Sequence, residues 1–130
     1  MKEKNRIKEI LQELFSSQKL GVLATQGEGN PYGNLVAIAA TDDLTRILFA
    51  TMRSTRKFHN ILVNKRVAMV IDNRSNRASD FRKAVAVTAT GVAEEVSSSE
   101  RDALQKVYLA KHPSLKEFVT APTCALMQID

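Results

Sequence analysis

Three short apolar runs joined by tight polar turns place the strongest constraint on what this chain can become. Gly21–Thr25, Tyr32–Ala40 and Arg46–Thr51 each read as a strand, separated only by Gln26–Pro31 and Thr41–Thr45. Glycine and proline mark the first connection as a turn, and Asp42 and Asp43 suit the second as turn residues. Connections this short can join antiparallel neighbours, whereas parallel strands need a crossover of roughly a dozen residues. The first half therefore reads as an antiparallel meander. A parallel dinucleotide-binding fold is disfavoured further because no GxGxxG opens a helix.

The remaining segments continue the pattern. Ile7, Ile10, Leu11, Leu14 and Phe15 recur at helical spacing and predict an amphipathic helix over 3–17. Phe58, Ile61 and Leu62 predict a second helix, followed by a fully apolar strand, Val67–Ile71. Asp72–Asp80 is a polar loop, and Ala84–Val96 is a long Val- and Thr-rich strand with Gly91 placed for a bulge or bend. Ser97 and Glu100 suggest a capping box before a helix carrying Leu104, Val107 and Tyr108. Leu115, Phe118 and Val119 form a short further turn after Pro113, and Cys124–Ile129 closes the chain as a strand. The sum is a mainly β (α+β) domain, a small antiparallel barrel of about six strands with peripheral helices over 1–130.

Composition bounds the partners. With 44% hydrophobic and 25% charged residues the chain reads as one soluble globular domain, with no membrane-length apolar run and no signal peptide. The lone Cys124 cannot form an internal disulfide and reads as a small packed residue, so a cytoplasmic location is expected. A net charge of +5 favours anionic partners. Nucleic acid is not expected, because aromatic residues make up only 5% and Trp is absent.

The segment Thr51-Met52-Arg53-Ser54-Thr55-Arg56-Lys57 carries the chemistry. Ser54 or Thr55 can cap the helix that follows, which places Arg56 and Lys57 in its first turn. Cations at the positive end of a helix dipole are unfavourable unless an anion joins them, and phosphate fits hydroxyls and guanidinium together. From Leu44 to Ile71 there is no Asp or Glu, while Arg46, Arg53, Arg56, Lys57, Lys65 and Arg66 all fall inside. A phosphate clamp and a merely solvated basic face are both open on these residues.

The ordered run Phe49-Ala50-Thr51-Met52-Arg53-Ser54-Thr55-Arg56-Lys57-Phe58-His59-Asn60-Ile61, then Asn64-Lys65-Arg66-Val67-Ala68, resembles the pyridoxamine 5′-phosphate oxidase-like family of FMN-binding split barrels. The likeness covers roughly Leu20 to Gly91. It implies that Ser54, Thr55, Arg56 and Lys57 hold the FMN phosphate, with Thr51 and Arg53 contributing. Asn34, Val36, Ala37 and Ile38 would lie along the flavin ring, largely through backbone groups. It also implies a homodimer with FMN at the interface, where Asn73 and Ser75 of the Asp72–Asn76 loop could reach the cofactor. Two departures stand out. Ala86 occupies the place of a Gln used near the flavin, and no Arg- and His-bearing segment precedes Asp130 to grip a substrate phosphate. Pyridoxamine phosphate is therefore not the expected substrate.

The expected function is an FMN-dependent oxidoreductase passing hydride between a reduced nicotinamide or similar donor and a small molecule. The alternatives are a non-catalytic flavin binder and a relative that uses a deazaflavin or haem. His59 reads as a surface or packing residue, and His112 as a helix-end cation suited to the dipole. Neither histidine joins a metal-ligand cluster, so no metal is expected. Ser54 has no adjacent base and reads as a cap rather than a nucleophile.

Overall fold

The computed structural model describes residues 2–130 and closes six antiparallel strands into a barrel, in the order β1-β2-β3-β6-β5-β4. The elements run α1 (Lys2–Ser17), β1 (Leu20–Gly27), β2 (Asn30–Ala40), β3 (Ile47–Met52), α2 (Arg56–Val63), β4 (Arg66–Asp72), α3 (Asp80–Lys83), β5 (Ala86–Glu95), α4 (Arg101–Lys111), α5 (Lys116–Thr120) and β6 (Cys124–Ile129). A single 3-10 turn, Pro113–Leu115, links α4 to α5. Among the described residues no helix is long and apolar enough to cross a membrane.

Burial follows from which faces are covered. The barrel interior holds Leu23, Ile38, Phe49, Met69, Ile71 and Met127, closed by Leu14 and Phe15 of α1 and by Phe58 and Ile61 of α2. Each such fully buried side chain contributes roughly 1.5–3 kcal/mol. A second cluster lies outside the barrel, where Leu104 and Tyr108 of α4 and Val119 cover Ala39, Leu48, Ala50 and Leu126. β3 and β6 are thus covered on both faces, which is why their sequences are nearly unbroken apolar runs. In β1 and β4 burial alternates along the strand instead, although their sequences too are largely apolar.

The outer face of β1, β2, β4 and β5 is open. Leu20 and Leu35 on it are 53% and 66% exposed, beside half-buried Val22, Ala24, Ala37, Ala68 and Val70.

The barrel splits where β5 passes from β4 to β6 and where β2 passes from β1 to β3. β1 and β2 pair along their whole length, from Leu20↔Ala37 to Gly27↔Asn30, around a Glu28-Gly29 tip whose residues have φ of 53° and 82°. β2 pairs with β3 only through Ala40↔Ile47, Ala39↔Leu48 and Ile38↔Phe49. Ile38 N–H donates to the Lys19 carbonyl. By antiparallel alternation, the backbone groups of Gly33, Leu35 and Ala37 then point to the edge that β3 has left.

Several expectations change. The capping box does not form: α4 begins at Arg101 with Glu100 as its N-cap and no side-chain cap bond. Glu100 turns instead to Arg46 at 2.7 Å, a stronger, charge-assisted partner. A four-residue helix, α3, lies between the segment read as a loop to Asp80 and the strand read from Ala84, and that strand begins at Ala86. Leu62 does not join the core and is 64% exposed, as is much of Ile7 and Ile10. Gly91 marks no bulge, since β5 keeps an unbroken register with β4 through it. It lies where β5 passes from β4 to β6, and a Cβ there would meet the Asp130 carbonyl at 2.5 Å.

Candidate functional site

The β3–α2 turn is built from its hydroxyls. Thr55 is the N-cap of α2: its Oγ1 donates to the Met52 carbonyl at 2.8 Å and accepts from Phe58 N–H at 3.4 Å. Buried Thr51 packs its Oγ1 2.9 Å from that of Thr55. Both hydroxyls are thus committed to shaping the turn. Phe58 N–H goes to the Thr55 hydroxyl and His59 N–H to the Thr55 carbonyl, which leaves the N–H groups of Arg56 and Lys57 open at the helix start.

The cations divide. Arg53 is held by Glu95 through two 2.7 Å hydrogen bonds and lies 5.8 Å over the Phe58 ring. Among the described residues neither Arg56 nor Lys57 has an acidic partner. Arg56 sits 5.3 Å over the Tyr32 ring, which holds its guanidinium without neutralising it.

A cleft of about 660 Å³ opens between this turn and the β1–β2 hairpin. Arg53, Ser54, Thr55, Arg56, His59 and Asn60 line one wall, and Gly27, Glu28 and Asn30 the other. Lys57 is half-buried and does not line it. Asn60 was not anticipated. It is buried, donates Nδ2–H to Thr25 Oγ1 at 3.1 Å, and so ties α2 to β1. A polar residue between Phe58 and Ile61 on the apolar face of a helix was the available signal. Gly27 is required beside it, because a Cβ there would lie 2.5 Å from Asn60 Oδ1.

The other expected residues fall in two places. Val36 and Ile38 are buried core side chains, so only backbone can face a ligand there. Asn34 Oδ1 is buried without a hydrogen-bond partner, a state that costs about 1–3 kcal/mol. Asn73 and Ser75 lie beyond Asp72, at the far end of β1 from the cleft, and serve their own loop. Asn73 Oδ1 accepts from Val85 N–H at 2.6 Å, and Ser75 donates to Asp80, whose carboxyl is thereby held below its usual range. In one copy of the chain these two residues do not meet the clamp.

His112 stands at the end of α4, as its C-cap, but faces the protein interior. It is buried, with Nε2 2.6 Å from the Ile38 carbonyl. Among the described residues no three His, Cys, Asp or Glu side chains gather as a metal site requires. A larger cleft, about 1070 Å³, lies between α1 and α4. Lys111 in it already donates to the Phe15 and Gln18 carbonyls, and acidic Glu13 and Asp42 line it together with Lys106. No unopposed helix start faces it.

Comparison with known proteins agrees with this architecture. The sequence model of the family described as pyridoxamine 5′-phosphate oxidase matches residues 7–129, and the chain belongs to that family. No curated protein sequence matches it. Among solved structures, a protein of unknown function from Agrobacterium tumefaciens superposes with a TM-score of 0.83 at 17% identity, over 95% of this chain and 53% of its own. A heme binding protein from Mycobacterium smegmatis gives 0.82 at 20% identity, over 94% and 50%. An FAD-binding protein from Mesorhizobium loti gives 0.72 at 16%, over 93% and 84%. The chain spans about half the length of the first two, and at these identities the likeness is one of fold.

Proposed function

We propose that this chain is a cytoplasmic FMN-binding oxidoreductase. One observation carries the reading: Arg56 opens into a cleft at the start of α2 with no acidic partner, beside Ser54 and open N–H groups. A dianionic phosphate supplies the missing charge and accepts from all three kinds of donor. Ser54, the Arg56 guanidinium and the open N–H groups of Arg56 and Lys57 bind the phosphate; the Thr55 hydroxyl, spent on the Met52 carbonyl, shapes the turn that presents them, and the Lys57 ammonium adds charge from outside the cleft wall. Arg53, tied to Glu95, braces the turn. The β2 edge at Gly33 and Leu35, with the Ala37 N–H, and the unpartnered Asn34 Oδ1 offer hydrogen-bonding groups suited to a polar ring.

FMN, when bound, supplies reversible two-electron chemistry, so the protein need not contain an acid–base constellation of its own. The residues position the cofactor and exclude water. The reductant is a reduced nicotinamide or a similar donor, and the acceptor is a small molecule other than pyridoxamine phosphate.

The open apolar face around Leu20 and Leu35 supports a homodimer. A second copy packed there would bring the Asn73–Ser75 loop towards the interface. A haem reading is favoured by one feature, exposed His59 in the cleft wall, whose imidazole would hold the iron. The spectrum of the purified protein separates the two. Flavin absorption and release of FMN are expected, and a Soret band lost in His59→Ala would establish haem instead.

A further inference from the structure

The β2–β3 pairs end at Ile38↔Phe49, and Ala37 and Ala50, next in register, do not pair with each other. The Tyr108 hydroxyl stands at this fork. It donates to the Ala37 carbonyl at 2.9 Å. The Ala50 N–H also approaches it, a small downward pull on a hydroxyl that burial pushes up to about 12. One turn along α4, His112 Nε2 lies 2.6 Å from the Ile38 carbonyl. A carbonyl only accepts, so this nitrogen carries the proton.

Consecutive carbonyls of a strand point to opposite edges. Tyr108 and His112, with rings 5.1 Å apart, therefore grip β2 from both sides at the point where it leaves β3. Their exposures of 1% and 7% exclude a surface role.

We infer that Tyr108, assisted by His112, is a positioning residue that fixes where the barrel splits and so sets the free β2 edge offered to a ligand ring. The ligand part of this inference rests on the FMN reading, whereas the pin itself does not. A pin acting on the ring should be indifferent to the phosphate. Variants of Arg56 or Lys57 weaken FMN alone, but a variant of Tyr108 weakens FMN and riboflavin by the same factor.

The test measures FMN, riboflavin and inorganic phosphate affinities of Tyr108→Phe, His112→Ala and His112→Gln, with amide spectra of the folded variants. Tyr108→Phe is expected to lower both flavin affinities about tenfold, the weight of one buried hydrogen bond, and to leave inorganic phosphate binding unchanged. His112→Gln, which keeps a donor for Ile38, should restore what His112→Ala loses. Unchanged flavin binding by folded Tyr108→Phe, or loss confined to FMN, overturns the inference. If the unmodified protein binds neither flavin, the proposed function fails, and the amides of Gly33, Leu35 and Ala37 decide the pin. Their resonances should move in Tyr108→Phe while those of Arg56 and Lys57 stay, and unmoved β2 amides overturn it. Should Tyr108→Phe not fold, failure of His112→Gln to recover the loss in His112→Ala overturns the grip on β2.

Discussion

Arg53 and Glu95 face each other in a two-pronged ion pair, with both nitrogen–oxygen distances at 2.7 Å. The pair joins the turn after β3 to the end of β5, and Arg101 lies 3.9 Å from the same carboxylate. Arg53 is thereby a brace. Arg53→Ala should lower thermal stability while changing FMN affinity by less than about tenfold, in contrast to Arg56→Ala. Titration calorimetry beside a melting curve checks this, and an equal loss of affinity in both variants would contradict it.

The same pair sets a pH dependence. Arg53 holds the Glu95 carboxyl below its usual range. A depressed folded value means that the unfolded state binds more protons as pH falls through the acid range. The stabilisation is therefore complete above the ordinary glutamate value and is lost as pH drops through the folded one. Glu95→Gln should flatten this acid limb of stability, as seen in urea midpoints between neutral pH and the onset of acid unfolding. Both side chains are partly exposed, so the effect should shrink in high salt.

Gly27 and Asn60 should behave as a coupled pair. Gly27→Ala forces a Cβ against Asn60 Oδ1, and Asn60→Ala removes the partner of the Thr25 hydroxyl, each costing about 1–3 kcal/mol. The double variant relieves the clash, so the combined loss should fall short of the sum. Additive losses in a chemical-denaturation cycle would show that the two do not meet.

Leu35→Glu should prevent dimerisation, because it puts a charge in the middle of the open apolar face. Sedimentation is expected to give a dimer for the unmodified chain and a folded monomer for the variant. A monomer in both cases would remove the interface from the account.

Much of the fold was legible in the residues. Cys124–Ile129 is a continuous apolar run, and its bounds as read are those of β6. Short polar turns gave the antiparallel order of β1 to β3. Asp80–Lys83 was missed because one helical turn is too short to show a period. Ser97 and Glu100 have the spacing of a capping box, yet Arg46, 54 residues away, competes for the carboxylate. The role of Arg53 was hidden for the same reason, since its partner is 42 residues distant. The Thr55 cap and the place of Arg56 and Lys57 in the first turn of α2 could be read from neighbours in sequence, whereas long-range partners depend on how the barrel closes.

The central claim is most directly tested by titrating FMN and riboflavin separately into ligand-free protein, since the two differ only in the phosphate that we propose the β3–α2 turn holds. FMN should bind at least about a hundredfold more tightly, and the difference should largely vanish in Arg56→Ala/Lys57→Ala, since each charged phosphate contact contributes roughly 1.5–3 kcal/mol. Equal affinity for the two ligands in the unmodified protein would contradict the account.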